Sequence, residues 1–103
     1  VRGRSVSLPV VLRPAADADV QTAHDVLNQA RPGSGARFVA QLRRVLERIE
    51  ALPESAGVVW QDVRAVRVKK FRYVVYYVVL ADRVEVIAVF HGSQDATGWQ
   101  SRV

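Results

Sequence analysis

No cysteine occurs anywhere in the chain. That excludes a disulfide framework, thiol catalysis and a thiolate metal site, and it agrees with a reducing compartment. Histidine is nearly as scarce, and two residues, His24 and His91, argue against a structural metal site. Neither a metal nor a cofactor is expected. Long apolar runs are missing as well. The longest have the length of a strand, so no segment reads as a membrane span. The start of the chain, with Arg2 and Arg4 but no long apolar region, does not read as a secretion signal. A cytoplasmic protein is the expectation. Three local enzyme signatures are also absent: a Gly-rich phosphate loop, a Gly-x-Ser-x-Gly elbow and a His-Glu-x-x-His helix.

What is present fits one globular domain over residues 1–103, half apolar and a quarter charged, with room for a single modest core. Fifteen Lys and Arg against ten Asp and Glu give a net charge of +5. Such a balance favours an acidic partner, nucleic acid or an acidic protein segment, although charge of this size also serves solubility. There are no internal repeats, low-complexity tracts or linkers.

The chain is organised around residues 63–91. Phe71, Tyr73, Val75, Tyr77 and Val79 alternate with Val74, Tyr76, Val78 and Leu80, so β-branched and aromatic residues fill both faces of one run. After the polar break Ala81-Asp82-Arg83 comes a second run, Val84 to His91. Two such runs around a tight turn predict an antiparallel hairpin at the middle of a sheet. The short run Val6–Leu12, with Pro9 inside it, predicts an edge strand. A first helix is expected to open at Ala15 with Asp17 and Asp19 in its first turn, carrying a narrow stripe of Ala16, Val20, Ala23, Leu27 and Ala30. Arg31-Pro32-Gly33-Ser34-Gly35 breaks it, with Ser34 as a plausible cap for a second helix. That helix keeps three-and-four spacing through Phe38, Val39, Leu42, Val45, Leu46, Ile49 and Leu52, and Pro53 ends it. Residues 54–60 are expected as a loop hinged at Gly57, and those after His91 as a polar tail. The predicted order is β-α-α-β-β-β, an α+β domain with an antiparallel helix hairpin packed on a small, mostly antiparallel sheet.

Five cations, Arg64, Arg67, Lys69, Lys70 and Arg72, fall within nine residues. Within a strand they would divide between two faces, and burying them against helices is costly, so they are expected near a strand end and loop, facing solvent or a groove. Phosphate contact or pairing with an acidic peptide competes there with the plainer role of a charged edge that resists aggregation. His91 stands where the last strand leaves the sheet, a position that a rigid scaffold holds accessible; the plainer role is to tie the tail to the sheet edge. His24 reads as a partly exposed helix residue beside Asp25. Tyr73, Tyr76 and Tyr77 read as core before they read as base-stacking platforms. Trp60 and Trp99 lie in polar, loop-like sequence, where tryptophan anchors a tail or meets a partner.

The chain resembles the RelE/ParE superfamily of toxins from bacterial type II toxin-antitoxin systems, and within it the ParE-like branch. The resemblance rests on the order and spacing of Arg31-Pro32-Gly33-Ser34-Gly35 with Arg37-Phe38, Leu52-Pro53-Glu54, Phe71 to Tyr77, and Val86 to Gly92 followed by Asp95 and Trp99. It implies a toxin neutralised by a cognate antitoxin, as a hetero-oligomer, with DNA gyrase as its target, growth arrest as its effect and no catalysis of its own. It places the target- or antitoxin-binding surface at Arg64, Arg67, Lys70, Arg72, His91, Gln94 and Trp99. The RelE side of the superfamily implies an alternative, a ribosome-dependent mRNA endoribonuclease in which His91 acts as general acid or base with Arg64 and Lys70 beside it. A third reading is a disarmed antitoxin-binding module. The chain departs from the family pattern at Gln94, where arginine is common, at Arg72, where proline is common, and at Val26-Leu27, where an aromatic pair is common.

Overall fold

A computed structural model describes residues 7–103. The reading of Arg2 and Arg4, and the first residue of the predicted opening strand, lie outside the described residues. The elements are β1 (Val10–Leu12), α1 (Pro14–Ala30), α2 (Ser34–Ala51), β2 (Val58–Trp60), β3 (Val63–Arg67), β4 (Tyr73–Val79), β5 (Val84–His91) and α3 (Thr97–Gln100). One sheet has the order β1-β5-β4-β3-β2, antiparallel throughout except where β1 runs parallel to β5. The α+β architecture and the central β4–β5 hairpin match the sequence reading. β1 lies at an edge as expected, but it begins after Pro9, whose carbonyl accepts from the Val84 N–H at 2.8 Å.

Two short elements were not foreseen. β2 occupies part of the predicted loop, pairing with β3 through an irregular register, Val58 to Arg64 and Trp60 to Val63. α3 turns the supposed polar tail into one helical turn that seats Trp99. Elements of three and four residues are too short to show either period.

Pro14 starts α1, where its missing N–H costs nothing. Ser34 is not the cap of α2: it is the first helical residue, and Gly33, at φ +90°, holds the N-cap position. The left-handed conformation there suits glycine. The helices cross closely at Gly35. A Cβ on that residue would stand 2.6 Å from the His24 ring and 2.8 Å from the His24 carbonyl oxygen.

The helix layer covers one sheet face. Tyr73, Val75, Tyr77, Val84, Val86 and Val89 pack there with Phe38, Leu42 and Ile49 of α2 and Ala16 and Ala23 of α1. The opposite face holds a smaller cluster of Val63, Val78, Ile87, Ala88 and Phe90 under Trp99. Alternation on β5 changes phase between these faces, because Tyr76 opposes Ala88 while Tyr77 opposes Val86, leaving Ile87 as an extra residue. This bulge lets both Val86 and Val89 face the helices.

β1 pairs with β5 only as far as Val86, so among the described residues the outer edge of β5 beyond that point has no strand beside it. Side chains finish the edge instead. The Val89 N–H donates to Asp19 Oδ2 at 3.0 Å, and Arg102 Nη1 donates to the Ile87 carbonyl at 3.0 Å. Arg102 also grips Asp19 with both terminal nitrogens, at 2.7 and 3.2 Å, and lies 4.9 Å over the Phe90 ring. Arg13 donates to the Arg102 carbonyl at 3.0 Å and to Glu85 at 2.9 Å. The residues after α3 are thereby fastened to α1, β1 and β5.

Candidate functional site

The basic run does not form one strand. β3 stops at Arg67, and the chain turns through residues 68–71, where the Phe71 N–H donates to the Val68 carbonyl at 3.1 Å and the Val68 N–H to the Tyr73 carbonyl at 2.9 Å. Lys70 sits in this turn at φ +71°, a left-handed conformation for which glycine is the usual choice. Lys69, Lys70 and Arg72 are all exposed, and so is Arg67, which opposes Val74. No acidic residue occurs from 63 to 81. Among the described residues, Arg67, Lys69, Lys70 and Arg72 form no ion pair, whereas Arg13, Arg83 and Arg102 each hold a carboxylate.

The end of β5 closes against this turn. His91 opposes Tyr73, and their rings meet edge to face with centroids 5.3 Å apart. The Gly92 N–H then donates to the Arg72 carbonyl at 2.6 Å, extending the ladder past the strand. A turn follows, in which the Gln94 N–H donates to the His91 carbonyl and the His91 N–H donates to Gln94 Oε1 at 2.7 Å. The result is an open cleft of about 420 Å³ lined by Arg67, Arg72, Val74, His91, Gly92 and Ser93.

The His91 tautomer is fixed by Ser93. Its backbone N–H donates to Nδ1 at 3.1 Å, and its hydroxyl lies 2.8 Å from the same nitrogen. Nδ1 is therefore an acceptor in the neutral ring, and the ring proton lies on Nε2. Burial pushes the Tyr73 hydroxyl above its ordinary value, so the phenol beside His91 stays neutral.

Of the residues expected at the site, the structure brings together Arg67, Arg72 and His91, with Lys70 at the tip of the adjoining turn. Gln94 is exposed and accepts from the His91 N–H through its Oε1. Arg64 opposes Tyr77, four residues along β4 from the partner of His91, a separation of roughly 13 Å at about 3.3 Å per residue. Its guanidinium donates to the carbonyls of Glu54 and Ala56, at 3.1 and 2.6 Å, pinning the loop before β2. It therefore does not join His91 in an acid-base set. Trp99 is buried, stacked on Tyr76 at 4.3 Å between centroids and set edge-on to Trp60 at 5.8 Å. Its role is that of a core residue, since α3 covers what would otherwise be a bare sheet face. The sequence reading missed Ser93, whose only signal is its place two residues after His91 in a Gly-Ser turn. No three His, Asp or Glu side chains among the described residues gather where a metal ion could sit, and no described helix is long and apolar enough to cross a membrane.

A helix pair on one face of a five-stranded sheet, with a basic hairpin end left open, defines the RelE/ParE-like toxin class of fold. The chain is similar to one from the chromosomal ParDE toxin-antitoxin system of P. aeruginosa, with a TM-score of 0.74 at 12% identity over 82% of this chain and 96% of that one. A comparison with curated protein sequences gave no match. The family model described as ParE toxin of type II toxin-antitoxin system, parDE, matches residues 10–96, and the chain belongs to that family. Membership makes it the toxin component of such a system and implies an antitoxin as its partner.

Proposed function

We propose that the chain arrests growth by binding DNA gyrase through the 67–72 turn and the end of β5. Contact is made by Arg67, Lys70 and Arg72, with His91 donating through its Nε2–H. The observation that carries this reading is the set of unpaired cations beside a histidine whose Nδ1 is already occupied by the Ser93 N–H. Such a group attracts and orients an acidic surface. The mRNA-cleaving alternative needs Arg64 beside His91, and Arg64 is committed to the Glu54 and Ala56 carbonyls. The half-exposed Val58 and Val59 of edge strand β2, together with Val26 of α1, offer apolar surface to the antitoxin.

The test is labelled thymidine and leucine incorporation in the minutes after induction without antitoxin, paired with a supercoiling assay using gyrase of the chain's own host. DNA synthesis is expected to fall first, purified chain to inhibit supercoiling, and Arg67→Ala/Arg72→Ala to lose both effects. An early fall in protein synthesis would overturn the gyrase reading in favour of mRNA cleavage. Unaffected growth would leave an antitoxin-binding module.

A further inference from the structure

The cleft has more specific chemistry than a general basic patch. Its donors are the charged forks of Arg67 and Arg72 and the Nε2–H of His91, the Ser93 hydroxyl being turned to His91 Nδ1. Its only apolar side chain is Val74. The cations also continue past it, through Lys69 and Lys70 at the turn, as an exposed stripe with no carboxylate to neutralise it. A stripe of this kind tracks a polyanion rather than one acidic side chain. Guanidinium forks with an N–H donor beside them are groups that hold nucleic-acid backbones in register.

We propose that the cleft and its flanking turn bind the phosphodiester backbone of a nucleic acid, with one phosphate seated between Arg67, Arg72 and His91. The inference rests on the target-contact reading above only in placing the working surface there. It adds that the toxin touches nucleic acid directly, as well as the protein target. Binding is expected to depend little on base sequence, because contacts to phosphate carry no sequence information directly.

The test is fluorescence anisotropy of labelled duplex DNA and of single-stranded RNA of equal charge, with the full chain and no gyrase, across a series of salt concentrations. For duplex DNA each phosphate contact contributes a slope of about −0.9 in log K against log salt, so one phosphate shared by Arg67 and Arg72 and one each at Lys69 and Lys70 predict roughly −2.7. Arg67→Ala/Arg72→Ala should lower the slope by about 1 and weaken binding on the order of tenfold at moderate salt. Arg43→Ala/Arg44→Ala, on exposed positions of α2, should change neither. Without any substitution, ring signals of His91 in an NMR titration should shift on adding DNA while those of His24 stay in place. An unchanged slope in the cleft variant, an unmoved His91, or equal affinity for poly-glutamate of the same charge would overturn the proposal. Tighter binding to duplex DNA assigns the phosphate to the gyrase-bound duplex, and tighter binding to RNA assigns it to a transcript; either supports the phosphodiester chemistry. A chain that inhibits supercoiling yet binds neither polymer loses this inference alone. One that binds DNA through the cleft but leaves gyrase untouched loses only the function above.

Discussion

Removing the Asp19 carboxylate should cost far more than its place in the first turns of α1 suggests. Asp19 accepts from the Val89 N–H at 3.0 Å and from both Arg102 terminal nitrogens at 2.7 and 3.2 Å. Its side chain is 16% exposed and that of Arg102 27%, so the pair is only partly screened. In Asp19→Ala the Val89 N–H, on a strand residue that is 2% exposed, loses its acceptor. An orphaned buried donor costs about 1–3 kcal/mol, and the lost charge-assisted bonds add roughly 1–2 kcal/mol after solvent screening. The sum, about 3 kcal/mol, is a large share of the ~5–15 kcal/mol available to a small domain. Arg102→Ala should cost less, about 2 kcal/mol, because Asp19 keeps the Val89 N–H and the orphaned group is a carbonyl with a second lone pair. Asp19→Asn, which retains an acceptor for Val89, should fall between wild type and Asp19→Ala. Urea unfolding of the wild type, both single alanine variants and the double variant gives the coupling energy, expected at about 1–2 kcal/mol. A coupling below about 0.5 kcal/mol, or an Asp19→Ala cost below about 1 kcal/mol, would refute the view that these side chains complete the sheet edge.

Gly35→Ala should destabilise by about 1–3 kcal/mol, because its Cβ meets the His24 ring at 2.6 Å; thermal melts of Gly35→Ala with and without His24→Ala should show only partial rescue, since the His24 carbonyl oxygen at 2.8 Å remains. Lys70→Gly should raise stability by roughly 1 kcal/mol by relieving the left-handed φ of +71°, while lowering the salt slope of DNA binding by about 1. Hydrogen bonds from Arg13 and then Arg83 hold the Glu85 carboxyl below its ordinary value of 4.5. A depressed carboxylate stabilises the fold above its unfolded value and loses that contribution as pH falls through the folded one. The stability difference between wild type and Glu85→Gln, measured by urea titration, should therefore be constant near neutrality and shrink below about pH 4.5; a difference that grows on acidification would contradict the assignment.

The legible parts of the fold were those with a period. Phe38, Leu42 and Ile49 announced α2, and the alternation from Tyr73 to Val79 announced a strand packed on both faces. The bulge at Ile87 left no trace, because an apolar run stays apolar when its phase slips by one residue. The site was half legible. Arg67, Arg72 and His91 could be placed near one another because strand ends and turns expose what they carry. Arg64 belonged to the same charge run but bends to two carbonyls eight and ten residues earlier, a bond that backbone geometry decides and composition does not. Trp99 was read as either anchoring the tail or meeting a partner, and its neighbours in sequence could not decide between them; its partners, Tyr76 and Trp60, come from other strands. Asp19 and Arg102 meet across 83 positions, and neither has a local feature pointing to the other.

The finished edge of β5 has a consequence for descent. Two positions at opposite ends of the chain act there as one missing strand, so selection sees them as a single character. A lineage that loses the aspartate keeps an arginine with nothing to hold, and it is expected to lose the arginine next or to lengthen β1 until backbone replaces both. Among related toxins, length of the first strand and the identity of this pair should therefore change together.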